Sequence, residues 1–233
     1  MTGCETNIAE SLKWPKKTPS TMVERGAGDL SPQMGGDRVV QDEPTSQLIA
    51  KWRRILADDC GLSISLAQYP VADMRPGFNW LVPDLPDTLI TGEAVHRRCH
   101  ELFGVFAFDG RAQHVVAAVD LYRRPASILR LRDCRETDLR YRDIPANHPI
   151  IQEIQSITLK QRLLLEIWYW RTTGRHLDVA SRTLCAGSRE GGERFIPGVP
   201  VVSWFSEEDM LTVNSEYVNR SIYSCLGARE VVS

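Results

Sequence analysis

The run Gln161–Arg171, QRLLLEIWYWR, constrains this chain more than any other feature. Its apolar residues leave no polar side under a two-residue period. Read as a strand, it belongs in the middle of a sheet with both faces covered. The turn residues Thr172-Thr173-Gly174-Arg175 then return the chain into a second strand over His176–Cys185. A further strand is expected over Val199–Phe205, and shorter ones over Leu62–Tyr69 and Gln113–Tyr122. Ile128–Arg132 and Leu139–Arg142 alternate apolar residues with arginine and are expected to pair as a hairpin.

Helical spacing appears elsewhere. Leu48, Ile49, Trp52, Ile55 and Leu56 recur on one face, with Thr45 or Ser46 as cap and Gly61 as stop. Helices are also expected over Gly92–Phe103, over Asn147–Ile157, and from Ser206 to about Leu226, where Leu211, Val218, Ile222 and Cys225 form a stripe. Residues 70–90 hold four prolines and read as an irregular crossing loop. The expected fold is α+β: a mostly antiparallel sheet of five or six strands, with helices packed mainly on one face. Residues 1–44, rich in Gly, Pro, Ser and Thr without an apolar period, are expected to be a disordered leader. Residues 45–233 are expected to form a single domain.

Composition limits the partners. Of 233 residues 42% are apolar and 25% charged, enough to bury a core without staples. A net charge of −2 provides no global field for nucleic acid or an anionic membrane. No apolar run approaches the roughly 20 residues of a membrane span, and no secretory h-region opens the chain. Cys4, Cys60, Cys99, Cys134, Cys185 and Cys225 show no Cys-x-x-Cys spacing and read as reduced core thiols of a cytoplasmic protein. No cofactor motif is present, and no nucleic-acid or membrane partner is expected.

Two constellations bear on chemistry. Arg130, Arg132, Arg140 and Arg142 stand at period two on the hairpin strands. Four planar guanidinium forks on one face would grip a carboxylate or phosphate; the plainer reading is a solvated surface balanced by Asp133, Glu136, Asp138 and Asp143. Glu166 shares its strand face with Arg162, Trp168 and Trp170. Desolvation there would raise its pKa and suit proton transfer as a catalytic group, with the two tryptophans lining the ligand; the alternative is a structural pair with Arg162. His96 and His100 share a helix face, but no third ligand completes a zinc site, so no metal is expected. The loop Gly187–Gly192 lacks the lysine of a phosphate-binding loop and reads as a connection. The functional expectation is therefore binding or conversion of a small anionic metabolite in a sheet pocket. The alternative is a protein-interaction role, as a regulator or an exported bacterial effector, motivated by the polar leader.

The order of elements from about Pro125 to Ser188 resembles one half of the chorismate pyruvate-lyase fold, shared with UTRA effector-binding domains. The residues that carry the likeness are the hairpin LLLEIWYWRTTGRHLDVASRTLCAGS and its ending Ala180-Ser181-Arg182-Thr183-Leu184. The resemblance implies a ligand-binding arginine just before the strand glutamate and a second hairpin carrying a catalytic glutamate, where this chain is expected to have only a helix after Phe205. Leu165 stands where the lyases carry a ligand-binding arginine. Residues 1–90 show no helix-turn-helix pattern, which sets a repressor role aside.

Overall fold

The computed structural model describes residues 43–106, 118–122, 125–190, 198–219 and 225–233. The expected leader lies outside these residues, apart from its last two. Those two already belong to the fold: Glu43 accepts a 2.7 Å hydrogen bond from Lys51, and the Pro44 carbonyl accepts from the amides of Gln47 and Leu48.

The chain is α+β, as expected. Helix α1 (Thr45–Cys60) ends on Gly61 in the left-handed conformation, at φ 65°. Helix α2 (Gly92–Phe103) starts at Thr91, whose hydroxyl accepts from the Ala94 amide. Helix α3 (Pro149–Glu153) is a short turn capped by His148 rather than Asn147. Helix α4 (Leu159–Thr173) corrects the sequence expectation most sharply, because the apolar run expected to be a central strand is a buried helix. Thr158 and Gln161 form a reciprocal capping box. Gly174, at φ 68°, closes the other end where a hairpin turn was expected. Every residue from Leu159 to Tyr169 is buried, so the absence of a polar face marks a helix surrounded by protein rather than a strand between neighbours.

The strands form three sheets. The first is antiparallel, in the order β1 (Trp80–Asp84), β4 (Ser127–Leu131), β10 (Val231–Val232). The second has five strands in the order β2 (Val105–Phe106), β8 (Met210–Tyr217), β7 (Gly198–Phe205), β5 (Arg182–Leu184), β9 (Leu226–Ala228). It is mixed, since β2 runs parallel to β8 and β5 parallel to β9. The third pairs β3 (Val119–Asp120) with β6 (Ser188–Arg189). Expected strands are found at residues 127–131 and 198–205, whereas Leu62–Tyr69 forms no strand and contains a 3-10 turn at Leu66–Gln68. The expected strand Gln113–Tyr122 lies mostly outside the described residues. Two further expectations are corrected. The proline-rich segment 70–90 contains β1, whose Trp80, Leu81 and Val82 are buried. The expected final helix is β8, paired residue for residue with β7 from Gly198↔Tyr217 to Phe205↔Met210. There Asp209 takes a left-handed φ of 52° at the turn, and Thr212 and Val213 supply branched side chains that pack well in strands.

Helix α4 is the hub of the core. It packs on α1, α2, β1 and β7, so it touches both larger sheets. Its Trp168 stacks on Trp52 of α1 at 6.0 Å and meets Trp80 of β1 edge-on at 5.6 Å. The Trp52 indole donates to the Leu81 carbonyl at 2.9 Å, which ties α1 to β1. Among the described residues no helix is long and apolar enough to cross a membrane.

Candidate functional site

The expected arginine face does not assemble. Arg130 lies on β4, but its partner across the sheet is Leu81, and Leu139–Tyr141 is a 3-10 turn rather than a strand. Arg130 is buried and donates to the Ala72 carbonyl at 2.9 Å and to Thr45 Oγ1 at 3.0 Å. Arg132 lies over the Phe78 ring, 4.5 Å from its centroid, with its Nε 3.6 Å from Asp138. Arg140 is exposed and Arg142 bridges to Gly227. Four arginines in four settings make no common anion grip.

Glu166 and the tryptophans are likewise redistributed by the helix. A 3.6-residue period places Glu166 beside Arg162 and turns Trp168 to the opposite side. Glu166 is fully buried and accepts from Arg162 at 2.7 Å, which is the structural pair weighed as the alternative. Trp168 is enclosed in the aromatic core, and Trp170 is half-buried against Phe103 at 5.2 Å. Arg162 also grips Asp178, and Asp178 in turn holds Arg229 at 2.6 Å. Burial alone would raise the Asp178 carboxyl; Arg229, Arg162 and the Thr183 hydroxyl outweigh it and hold the group below its ordinary value. His96 and His100 share the α2 face as expected. Among the described residues no cluster of three or more His, Cys, Asp or Glu is placed to hold a metal ion.

A concave site is found elsewhere, where the first turns of α2 and α4 meet the end of β1 and strand β3. It is a cavity of about 610 Å³, within the range of small-molecule pockets. Asp84, Asp87, Glu93 and Asp120 line it, together with Lys160, Thr91 and Tyr122. Each charged group is positioned by local structure. Asp84 ends β1 and accepts from the side-chain Nε2 of Gln161 at 2.9 Å. Gln161 is itself fixed by the capping box of α4, accepting from the Thr158 amide at 3.0 Å. Lys160, nearly buried, donates to the Leu85 carbonyl at 2.7 Å and to Asp87 at 2.6 Å. Asp120 of β3 accepts from Ser188 at 2.7 Å, and the Ser188 hydroxyl also accepts from the Leu159 amide at the start of α4.

The electrostatics are dominated by the carboxylates. Among the described residues, four of them face one ammonium, which leaves three negative charges in excess. Two helix N-termini add roughly half a positive charge each, so about two negative charges remain. Burial raises the Asp120 carboxyl above its ordinary value; Ser188 and Lys160 pull it back, and Asp84 and Asp87 push it further up. Sequence reading passed over these residues because Asp84-Leu-Pro-Asp87 sat in a segment read as a loop. The Thr158-x-x-Gln161 box that positions Lys160 was hidden in a run read as a strand.

Comparison with protein-family models, curated proteins and solved structures finds no match for this chain. The resemblance to the chorismate pyruvate-lyase fold therefore rests on sequence order alone. The long hairpin it implies is occupied here by α4, a connecting loop and β5.

Proposed function

We propose that this protein binds a small cationic metabolite, one bearing an ammonium or amidinium group, in the cavity between the first turns of α2 and α4. The observation that carries the reading is the surplus of carboxylates in a cavity of about 610 Å³ whose lysine is already paired with Asp87. A ligand ammonium entering this site replaces water against Asp84, Glu93 and Asp120, while an anionic ligand meets repulsion from all of them. The ligand expected from the arginines is therefore exchanged for one of opposite charge, and the broader reading of a small-molecule binder is kept. The described cysteines are free thiols, which suits a reducing compartment and supports a cytoplasmic setting.

The test is a thermal-shift and calorimetry series with putrescine and agmatine against succinate and citrate. An amine at about 100 times its Kd stabilises by about 2.7 kcal/mol, which raises Tm by roughly 5–11 °C for a domain of this size. The double substitution Asp84→Asn with Asp120→Asn should remove the response. Binding should tighten as pH rises through the elevated Asp120 pKa, because the ionised carboxylate is the form that attracts the cation. Carboxylates that stabilise the protein where amines do not would overturn the proposal.

A further inference from the structure

Next to Glu166, outside the residues that line the cavity, one histidine meets the buried ionic network. His176 Nδ1 lies 3.0 Å from Glu166 Oε1. The other oxygen of Glu166 accepts from Arg162 at 2.7 Å, and the Leu177 amide donates to Oε1 at 3.4 Å. A carboxylate held by a guanidinium and an amide is an acceptor, so Nδ1 carries the proton and the lone pair is on Nε2. Among the described residues no group bonds Nε2, and the His176 side chain is 17% exposed while Glu166 is 0% exposed. The ring cannot turn freely. It lies flat on Trp204, with centroids 3.3 Å apart and planes 4° apart, and Phe103 meets it edge-on at 5.3 Å.

We propose that His176 is a nucleophilic centre acting on small apolar or aromatic esters, with Glu166 as its positioning residue. An imidazole of fixed tautomer, presented beside Trp204 and Phe103, combines an oriented lone pair with an apolar wall for the acyl or leaving group. Nε2 attacks the ester carbonyl carbon, and the C–O bond to the leaving group breaks with its electron pair, releasing the alkoxide or phenoxide. The acyl-imidazolium passes its Nδ1 proton toward Glu166. Water then cleaves the C–N bond, giving the carboxylate and two protons, one taken by the released alkoxide or phenoxide and one by solvent, while Glu166 returns its proton to Nδ1 and restores the original imidazole. Glu166 moves a proton here through His176 and not by touching the ligand. This inference is independent of the cavity.

The experiment uses p-nitrophenyl acetate with the full chain. The expected second-order rate exceeds that of an equal concentration of free imidazole at the same pH by at least about tenfold, below the 10²–10⁴ typical of evolved acid–base groups. It should fall to background in His176→Asn and be unchanged in His100→Asn, whose imidazole is exposed on α2. Acid-quenched samples should carry the acetyl group on His176 by mass spectrometry. Glu166→Gln should lower the rate while KM is retained. Imidazole nitrogen shifts of the unsubstituted protein should report the Nδ1–H tautomer, a readout that needs no variant to fold. A rate no greater than free imidazole, a rate surviving in His176→Asn, or an Nε2–H tautomer would each overturn the proposal.

Discussion

Replacing Asp178 with asparagine should be among the most damaging single changes available to this protein, and the structure supplies the magnitude. Asp178 Oδ2 accepts from Arg162 Nε at 2.9 Å, and Oδ1 accepts from Arg229 at 2.6 Å. All three side chains are essentially inaccessible to water. With the carboxylate gone, Arg162 still has Glu166, but Arg229 is left with neutral acceptors alone, the carbonyls of Cys134 and Arg135 and the Thr183 hydroxyl. An uncompensated buried charge costs about 3–5 kcal/mol, a large part of a typical stability of 5–15 kcal/mol. Asparagine isolates this charge effect, because Asp178 sits at φ 52°, a left-handed conformation that asparagine tolerates as well as aspartate does. Urea unfolding should show the loss in midpoint, and calorimetry should show Tm lower by roughly 6–20 °C for a domain of this size. The pH dependence follows from the same contacts. The folded carboxyl titrates below its ordinary 3.8, so its stabilisation is complete above that value and is lost as pH falls through the folded pKa. The Asn variant should lack this acid-dependent loss. A Tm within 2 °C of the unsubstituted protein, a loss of roughly 1 kcal/mol or less, would refute the view that this ion network is a structural hub.

Three further substitutions probe the positions of single residues. Gly187→Ala should cost about 1–3 kcal/mol by chemical denaturation, because the added Cβ would collide with the Ser156 carbonyl and lie 3.1 Å from that of Ile157, both backbone atoms leading into α4. Arg130→Ala should destabilise measurably, since it orphans the Ala72 carbonyl and opens a space under β4, whereas Arg140→Ala at the exposed 3-10 turn should stay within about 0.5 kcal/mol; equal effects at the two sites would contradict their different burial.

What could be read from the sequence follows local physics closely. Helices α1 and α2 carry a one-sided apolar stripe and a cap or stop, and both appear where expected. Strands β4 and β7 show branched apolar character in short runs. Legibility fails where burial is complete on every side. In Gln161–Arg171 the charged pair Arg162 and Glu166 shares a face under either period and the rest of its interior is apolar all round, so periodicity cannot separate helix from strand. Length and termini could have done so: 11 residues are long for a strand, Thr158-x-x-Gln161 is a capping box, and Gly174 is a C-terminal stop. The stretch Ser206–Leu226 failed for the opposite reason. Its residues Leu211, Val218, Ile222 and Cys225 do recur at helical spacing, but β8 gains a partner along all eight of its residues from β7, and non-local pairing overrides a local stripe. The cavity was not legible because its carboxylates come from β1, the segment after it, α2 and β3, which only the tertiary fold brings to Lys160.

Both candidate sites depend on α4 being a helix. As a strand, residues 162, 164, 166, 168 and 170 would share a face and set Glu166 among tryptophans, with Arg162 as its one charged neighbour there. As a helix, positions 162 and 166 share a face from which Trp168 is turned away, and there the charges find Asp178 and His176 instead. Trp168 then faces Trp52 and Trp80 in the apolar core. Lys160, in the first turn, reaches out of the same helix toward Asp87 and the cavity. Four polar side chains in a fully buried helix would cost several kcal/mol each if unpaired, yet Lys160, Gln161, Arg162 and Glu166 all find charged or hydrogen-bonding partners on other elements. Those partners come from β1, the segment after β1, and the loop between α4 and β5, so the polar residues of α4 fix its rotation and register against its surroundings. An apolar side chain in place of Arg162 would preserve the volume of the core but release that register, and it would leave Glu166 buried beside His176 with no guanidinium to hold it.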